Sequence, residues 1–463
     1  MFGQTNPAGA SFTSRINEFF LSASAVWTAA CLLAQRSFFK ISIIFASLFL
    51  LLVCFAAFYN PPTFRHPTSP FANPQWDRTP PALESKISVN NDRPLATPSP
   101  LPSPLPSPTA TKASFTKPAN LKIVAVIFYG RPDRVEILDC YLKRNLVVNG
   151  GWIDEVYWAP NTEKQADLEW LDKLVPTSPL YKKIQIEKKR KGYARIWDSA
   201  ITDPDTLYIK VDDDIVYIDD NAIPKLVSLK LEHDHSFLVS ANVINSAPLP
   251  YHHYRTGAVR PYLPEMTAPN NITNNSDASQ RKPTWRASQL PYWEGPDDFQ
   301  FPLDVGNAPY PNHRWLPVHD ENGTAIYRTP MHNALCSPWK ENRGKWSLAA
   351  QQHFSLFESL EQDAMDVYDF ARRGVWDMGF ERISINFIAI WGRDVIDHLP
   401  LNDDEAMLTM AIPKKLRRPV LVATGALASH YAFASQAEDL KNTDILSRYR
   451  AYANDLICPG TLA

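Results

Sequence analysis

The stretch Leu207-Tyr208-Ile209-Lys210-Val211-Asp212-Asp213-Asp214-Ile215-Val216-Tyr217-Ile218 decides the fold. Its first half is β-branched and aromatic, as a buried parallel strand requires, and it runs straight into three consecutive carboxylates. Open α/β sheets bind ligands at the carboxyl ends of their strands. Side chains alternate along extended chain, so Asp212 and Asp214 are expected to share a direction and Asp213 to point elsewhere. Two carboxylates converging at a strand tip suit a hard divalent cation, and the expected role of that cation is to hold a diphosphate. Without a cation they repel and one must protonate. The bland alternative is that the aspartates cap a helix over 219–231 or form a solvated turn.

Upstream of this stretch, strands are expected over 122–129, 153–159, 183–187 and 206–211, with helices over 133–148, 163–174 and 193–200. Strands alternating with helices imply right-handed βαβ crossovers and an α/β fold with a mainly parallel, Rossmann-like sheet flanked by helices. No GxGxxG fingerprint accompanies it.

Further toward the N-terminus, residues 41–59 read ISIIFASLFLLLVCFAAFY without a charge, long enough to cross a bilayer as a helix. Arg36 and Lys40 flank the run, so the positive-inside rule keeps residues 1–40 cytoplasmic and sends the remainder across. A cleaved signal peptide is the competing reading, against which stand the length and late start of the run. Residues 60–118 contain SPLPSPLPSP, and proline there implies an extended, polyproline-rich stem whose Ser and Thr are open to O-glycosylation. The chain carries 40 prolines against 16 glycines, which favours rigid spacers over flexible ones.

A globular catalytic domain is expected over 119–463, with 246–345 as a long irregular insertion rich in Pro, Tyr, Trp, His and Asn. The sequons at Asn271, Asn274 and Asn322 all fall in this insertion, as a lumenal surface requires. Helical spacing returns over 346–370. A helix or strand–helix pair is expected over 382–398, then an Asn402-Asp403-Asp404-Glu405 cluster heading a helix to 415, a strand or hairpin around Gly425, and a closing helix over 436–453. A formal charge of −2 gives no bulk attraction to nucleic acid. Of five cysteines, at 31, 54, 140, 336 and 458, the last three allow at most one disulfide within the globular part, and no zinc spacing occurs.

Tail, anchor, stem and βα units ending in Val211-Asp212-Asp213-Asp214 resemble a glycosyltransferase of the GT-A fold in its type II membrane form, fungal members in particular. The resemblance covers 120–239 best and 380–452 more loosely. It implies a Golgi or endoplasmic-reticulum enzyme that moves a sugar from a UDP- or GDP-sugar donor to a glycan or glycoprotein acceptor, with Mn2+ or Mg2+ held by the DXD motif. Asp214 is then the metal ligand, Asp212 the ribose or water-mediated metal contact, and His430 the late histidine that completes the metal site. The chemistry fits, because a divalent ion offsets the charge that builds on a departing diphosphate without proton transfer.

The same resemblance makes Arg131 and Arg134 candidate nucleotide contacts, against the alternative of surface pairing with Asp133 and Glu136. Lys191 and Arg195, in a cationic loop entering a helix, are candidates for the diphosphate, against a merely solvated basic run. Asp404 or Glu405 is the candidate base for the acceptor hydroxyl, although helix N-termini favour acidic residues in any case. Tyr251, Tyr254, Trp285, Trp293 and Trp315 either stack on an acceptor sugar or pin the inserted loops. A metal-dependent phosphohydrolase and a tethered carbohydrate- or calcium-binding protein are the rival readings.

Overall fold

A computed structural model describes residues 115–186, 192–268, 284–301, 306–334, 345–371 and 373–462. The apolar run 41–59, the Pro-rich segment to 114, Lys191, Asn271, Asn274 and Cys336 lie outside the described residues. Among the described residues no helix is long and apolar enough to cross a membrane.

The seven residues of β1 (Ile123–Tyr129) are all buried, which its unbroken run of apolar side chains demands. Pro132 opens helix α1 (Pro132–Arg144), where its missing N–H costs nothing, and basic residues close it. Strand β2 (Glu155–Pro160), helix α2 (Gln165–Leu174), strand β3 (Tyr181–Lys183) and helix α3 (Ala194–Ala200) follow, then β4 (Leu207–Asp212). These match the expected elements, with ends moved by a few residues. The third strand is the exception, since it begins at Tyr181 and ends at Lys183.

Beyond β4 come β5 (Ile215–Ile218), helix α4 (Ala222–Glu232) and β6 (Leu238–Ile244). The inserted region holds a two-stranded antiparallel ribbon, β7 (Tyr262–Pro264) with β8 (Trp315–Pro317). Helix α5 (Trp346–Glu361), β9 (Val375–Asp377), β10 (Phe387–Trp391), β11 (Val420–His430) and α6 (Ile445–Tyr452) complete the described elements used below. The large sheet has the order β3-β2-β1-β4-β10-β6-β11-β5, with β9 also paired to β11. Pairing within β3-β2-β1-β4 is parallel. Strand β10 runs antiparallel to both its neighbours, and β6 and β11 are again parallel. Six of the nine strands therefore share one direction, as a mainly parallel sheet requires, and their carboxyl ends lie on one edge.

Of the two alternatives for 419–433, the structure has the single strand: β11 follows β6 on both sides of Gly425 and absorbs that residue as a register shift between Ala423 and Leu427. One element differs from expectation. The closing helix is broken into Ala434–Leu440 and α6, because Thr443 and Asp444 turn the chain; Thr443 Oγ1 bonds back to the carbonyl of Leu440. Of the inserted tryptophans, Trp285, Trp293 and Trp315 are buried in the main core cluster. They pin the loops.

A disulfide joins Cys140 on α1 to Cys458 beyond α6, closing a loop of 318 residues. A cross-link over so long a loop restricts the unfolded chain strongly. Cys458→Ser is expected to lower the free energy of unfolding by about 2–4 kcal/mol in urea titrations, and dithiothreitol to bring the unmutated chain to the same midpoint. An unchanged midpoint would show that the bond adds no stability.

Candidate functional site

Strand pairing assembles the site. Phe128 of β1 lies opposite Asp212 of β4, so the Gly130-Arg131 turn after β1 reaches the aspartates. Strand β5 leaves the Asp213-Asp214 turn and pairs antiparallel with the end of β11, where Ile215 lies opposite His430. The backbone N–H of Tyr431 donates to the carbonyl of Asp214 at 2.8 Å. Thus His430, 216 positions along the chain from Asp214, is placed beside it by sheet register alone.

Strand β4 ends at Asp212, and Asp213-Asp214 form the tight turn into β5, so strand alternation no longer governs them. This corrects the expectation that Asp213 points away from its neighbours. Arg131 pairs with both Asp213 and Asp214, its Nη1 lying 3.0 Å from Asp214 Oδ2. Asp212 faces other partners: Lys210 Nζ donates to its Oδ1, and Asn386 Nδ2 donates to Oδ2 at 2.8 Å. Lys210 is itself buried and donates to the Ile385 carbonyl at 2.7 Å. Asn386 is held in turn by the hydroxyl of Ser246, which donates to its Oδ1 at 2.6 Å.

Asp214 is fully buried. Arg131 Nη1, Arg134 Nη1 at 3.5 Å and His430 Nε2 at 3.2 Å all gather on its Oδ2. Among the described residues no donor reaches Oδ1, nor Asp213 Oδ2. Burial alone pushes the Asp214 carboxyl upward, but His430, Arg131 and Arg134 outweigh it and hold the group below the usual carboxylate range. Asp213 moves the other way, raised mainly by burial and also by its two acidic neighbours, with Arg131 opposing. Burial works against the charge of Arg131, and Asp214 and Asp213 reverse that to raise its pKa.

His430 is also buried, and its Nδ1 lies 3.1 Å from the carbonyl of Asn245. A carbonyl only accepts, so Nδ1 carries a proton and the ring is held with Nε2 facing Asp214 Oδ2 at 3.2 Å. Asn245 occupies the left-handed region (φ 57°), which asparagine tolerates. Its side-chain amide donates to the carbonyls of His430 and Tyr431, locking the end of β6 to the end of β11.

Asp212, Asp213, Asp214, Arg131, His430, Asp404 and Glu405 all line one cavity of about 470 Å³ at the strand tips. Arg134 sits behind Asp214 rather than on the cavity wall, and Arg195 lies 3.5 Å from the wall residue Asn161. The alternative of helix-surface pairing does not describe these arginines: Glu136 instead pairs with Arg450 at 2.5 Å. Both oxygens of Asp404 are engaged, Oδ2 by Trp197 Nε1 at 2.8 Å and Oδ1 by the backbone N–H of Glu405. Glu405 uses only Oε1, which accepts from Arg382 Nε at 2.5 Å. Among the described residues no donor reaches its Oε2.

The cavity also holds Lys210, Asn386, Asn161 and Tyr193, which were not among the candidate residues. The Tyr193 ring is 54% exposed and stacks on Phe128, with centroids 6.1 Å apart. A buried lysine two residues before an acidic run was the one visible signal among them, since Lys210 shares the face of Asp212.

The donor set fits a divalent cation in part. Asp214 and His430 supply oxygen and nitrogen ligands, a buried carboxylate oxygen faces no donor, and the Nδ1–H bond to a carbonyl orients the ring as in metal-bound histidines. Asp212 directs both oxygens to Lys210 and Asn386, and among the described residues no three His, Cys, Asp or Glu converge on one point. Any further ligands would come from water and substrate, as is common for Mg2+ and its relatives.

Fold and cleft together define a mixed α/β protein whose ligand cavity opens at the carboxyl ends of its strands. No family model and no curated protein matches the sequence. Among solved structures the chain is similar to TarS 1–349 of S. aureus, with 17% identity and a TM-score of 0.22 over 27% of this chain and 36% of that one. It is also similar to 4-diphosphocytidyl-2C-methyl-D-erythritolsynthase from Anaerococcus prevotii, with 13% identity and a TM-score of 0.20 over 27% of this chain and 55% of that one. The chain thus matches about a third to a half of the length of these structures.

Removing the partner of a buried ion leaves an uncompensated charge. Lys210→Met is expected to destabilise the fold by about 3–5 kcal/mol, and Asp212→Asn in the same chain to return a substantial part of that loss. Additive effects in urea denaturation would show that the two side chains are not coupled.

Proposed function

We propose that the protein is a divalent-metal-dependent glycosyltransferase of the GT-A kind, moving a sugar from a UDP- or GDP-sugar to a hydroxyl of a glycan or glycoprotein. The observation that carries this reading is the 3.2 Å approach of His430 Nε2 to Asp214 Oδ2 beside a buried carboxylate oxygen that faces no donor. Asp214 and His430 are the residues that would hold Mn2+ or Mg2+. Bound there, the ion would offset the charge that builds on the departing diphosphate.

The chain's own residues would do the remainder. Arg131, with its guanidinium on the cavity wall, suits a phosphate oxygen, and Arg134 keeps Asp214 ionised from behind. Lys210 and Asn386 hold Asp212 at the mouth of the cleft, where its remaining lone pairs suit a ribose hydroxyl. Tyr193 offers an exposed ring face to a nucleobase. Glu405 is the better placed of the two acids to take the acceptor proton, because its Oε2 is uncommitted while Asp404 braces Trp197. Lys191 and Arg195 remain part of the proposed donor-binding set, Arg195 acting through Asn161.

A lumenal location belongs to the same proposal. The Cys140–Cys458 disulfide is at home in an oxidising compartment, Asn322 is exposed at its sequon, and the uncharged run at 41–59 suits a type II anchor.

In titration calorimetry, UDP or GDP should bind only with Mn2+ or Mg2+ present, and EDTA should abolish the heat. Asp214→Asn should remove this metal-dependent binding while the circular dichroism spectrum stays unchanged. Glu405→Gln should keep donor binding and lower turnover, read as released nucleotide, by roughly 10²- to 10⁴-fold. Full turnover by Asp214→Asn would remove the metal role. Metal-dependent phosphate release from simple phosphomonoesters, without any transfer, would favour a phosphohydrolase.

A further inference from the structure

The inserted region carries a second concave surface that takes no part in the strand-tip cleft. Its centre is Tyr292, a residue outside the tryptophan set that pins the loops. The ring is 51% exposed and lies flat on His319, with centroids 3.7 Å apart and planes 18° from parallel. Tyr292 lines two neighbouring cavities, of about 580 and 500 Å³. Each is within the size range of small-ligand sites.

The platform is rigid. The backbone N–H of Trp293 donates to the carbonyl of Pro317 at 2.9 Å, and its Nε1 donates to the carbonyl of Pro264 at 3.1 Å. Arg328 stacks over the same indole at 5.2 Å. The residue next to Tyr292 is therefore bolted to both strands of the ribbon, and little ordering entropy is left to lose on binding.

The rim of the larger cavity is acidic. Asp320, Glu358 and Glu361 line it against a single guanidinium, Arg260, which already lies 3.4 Å from Glu358 Oε1. Glu361 accepts from the backbone N–H and the hydroxyl of Ser288, and Asp320 Oδ1 accepts from the backbone N–H of Ala325. Among the described residues no donor reaches Asp320 Oδ2, and each of the other carboxylates keeps lone pairs for further donors. A rim of acceptors with net negative charge repels phosphates, nucleic acid and acidic glycans. It suits a ligand that is uncharged and rich in hydroxyl donors.

We propose that Tyr292, His319 and the carboxylates of Asp320 and Glu361 form a binding site for a neutral oligosaccharide. The C–H face of a pyranose carries the partial positive charge that an aromatic face attracts, and its hydroxyls reach the flanking carboxylates. Two cavities sharing one ring give room for more than one sugar unit. The site stands on its own geometry and needs no transfer chemistry in the cleft. Helix α5 supports both places: Gln352 accepts from the backbone N–H of Asn245 behind His430, and Glu358 and Glu361 face the second site. Glu361 lies nine positions beyond Gln352, roughly 14 Å along the helix.

The full chain is to be titrated, by saturation-transfer NMR, with maltohexaose, cellohexaose, mannohexaose, xylohexaose, chitohexaose and the anionic hexagalacturonic acid. At least one neutral hexasaccharide should bind, and hexagalacturonic acid should not. Tyr292→Ala should weaken that binding by about tenfold, the loss of one stacked ring, and Glu361→Gln should weaken it as well. Both variants should keep metal-dependent nucleotide binding in the cleft. Absence of binding by every neutral probe, binding unchanged in Tyr292→Ala, or preference for hexagalacturonic acid would overturn the proposal. Loss of nucleotide binding by the unmutated chain, with oligosaccharide binding intact, would overturn the cleft reading alone.

Discussion

Three adjacent carboxylates at the tip of a buried strand repel one another, and the cleft edge of the sheet is organised around that repulsion. Each acid is answered by groups from a different part of the chain. Lys210 and Asn386 answer Asp212, Arg131 answers Asp213, and Arg131, Arg134 and His430 gather on Asp214. Burial makes each of these contacts stronger than it would be in water and makes any missing one costly.

The sheet delivers these partners. Strand β5 begins at the residue after Asp214 and pairs with the end of β11, so hydrogen-bond register carries His430 to the aspartates. Asn245, in a left-handed conformation at the end of β6, bridges to the same place with its backbone carbonyl and its side-chain amide. Behind them, the wholly buried His353 on α5 contacts the Tyr431 carbonyl through Nε2 and the Tyr449 hydroxyl through Nδ1. With both ring nitrogens of His353 engaged, these contacts help to fix one arrangement of the strands.

The inserted region divides its aromatic residues between two tasks. Trp285, Trp293 and Trp315 are buried and hold irregular chain against the core, and the indole N–H groups of Trp285 and Trp293 donate to Asp455 Oδ2 and to the Pro264 carbonyl. Tyr292 is left outside that core on a fixed support. Composition treats these rings alike, and only accessibility separates anchor from platform.

Read from the amino-acid order alone, the local facts are secure. The apolar run of β1, Pro132 at the head of α1 and the strand leading into Asp212 each follow from neighbours a few residues apart, and the structure has all of them. The acidic run was legible as a candidate because three carboxylates follow a buried strand, whereas Arg131 and His430 were candidates only through the resemblance to GT-A glycosyltransferases. What sequence spacing misjudged was direction: alternation holds only within a strand, and Asp213 and Asp214 lie in a turn. Asn386 and Tyr193 joined the cleft, and Asp404 was turned toward Trp197, through contacts with no sequence periodicity behind them. Such contacts span 174 and 207 positions for Asn386–Asp212 and Trp197–Asp404. Tertiary structure decided them because strand order and register, rather than proximity along the chain, determine which side chains meet.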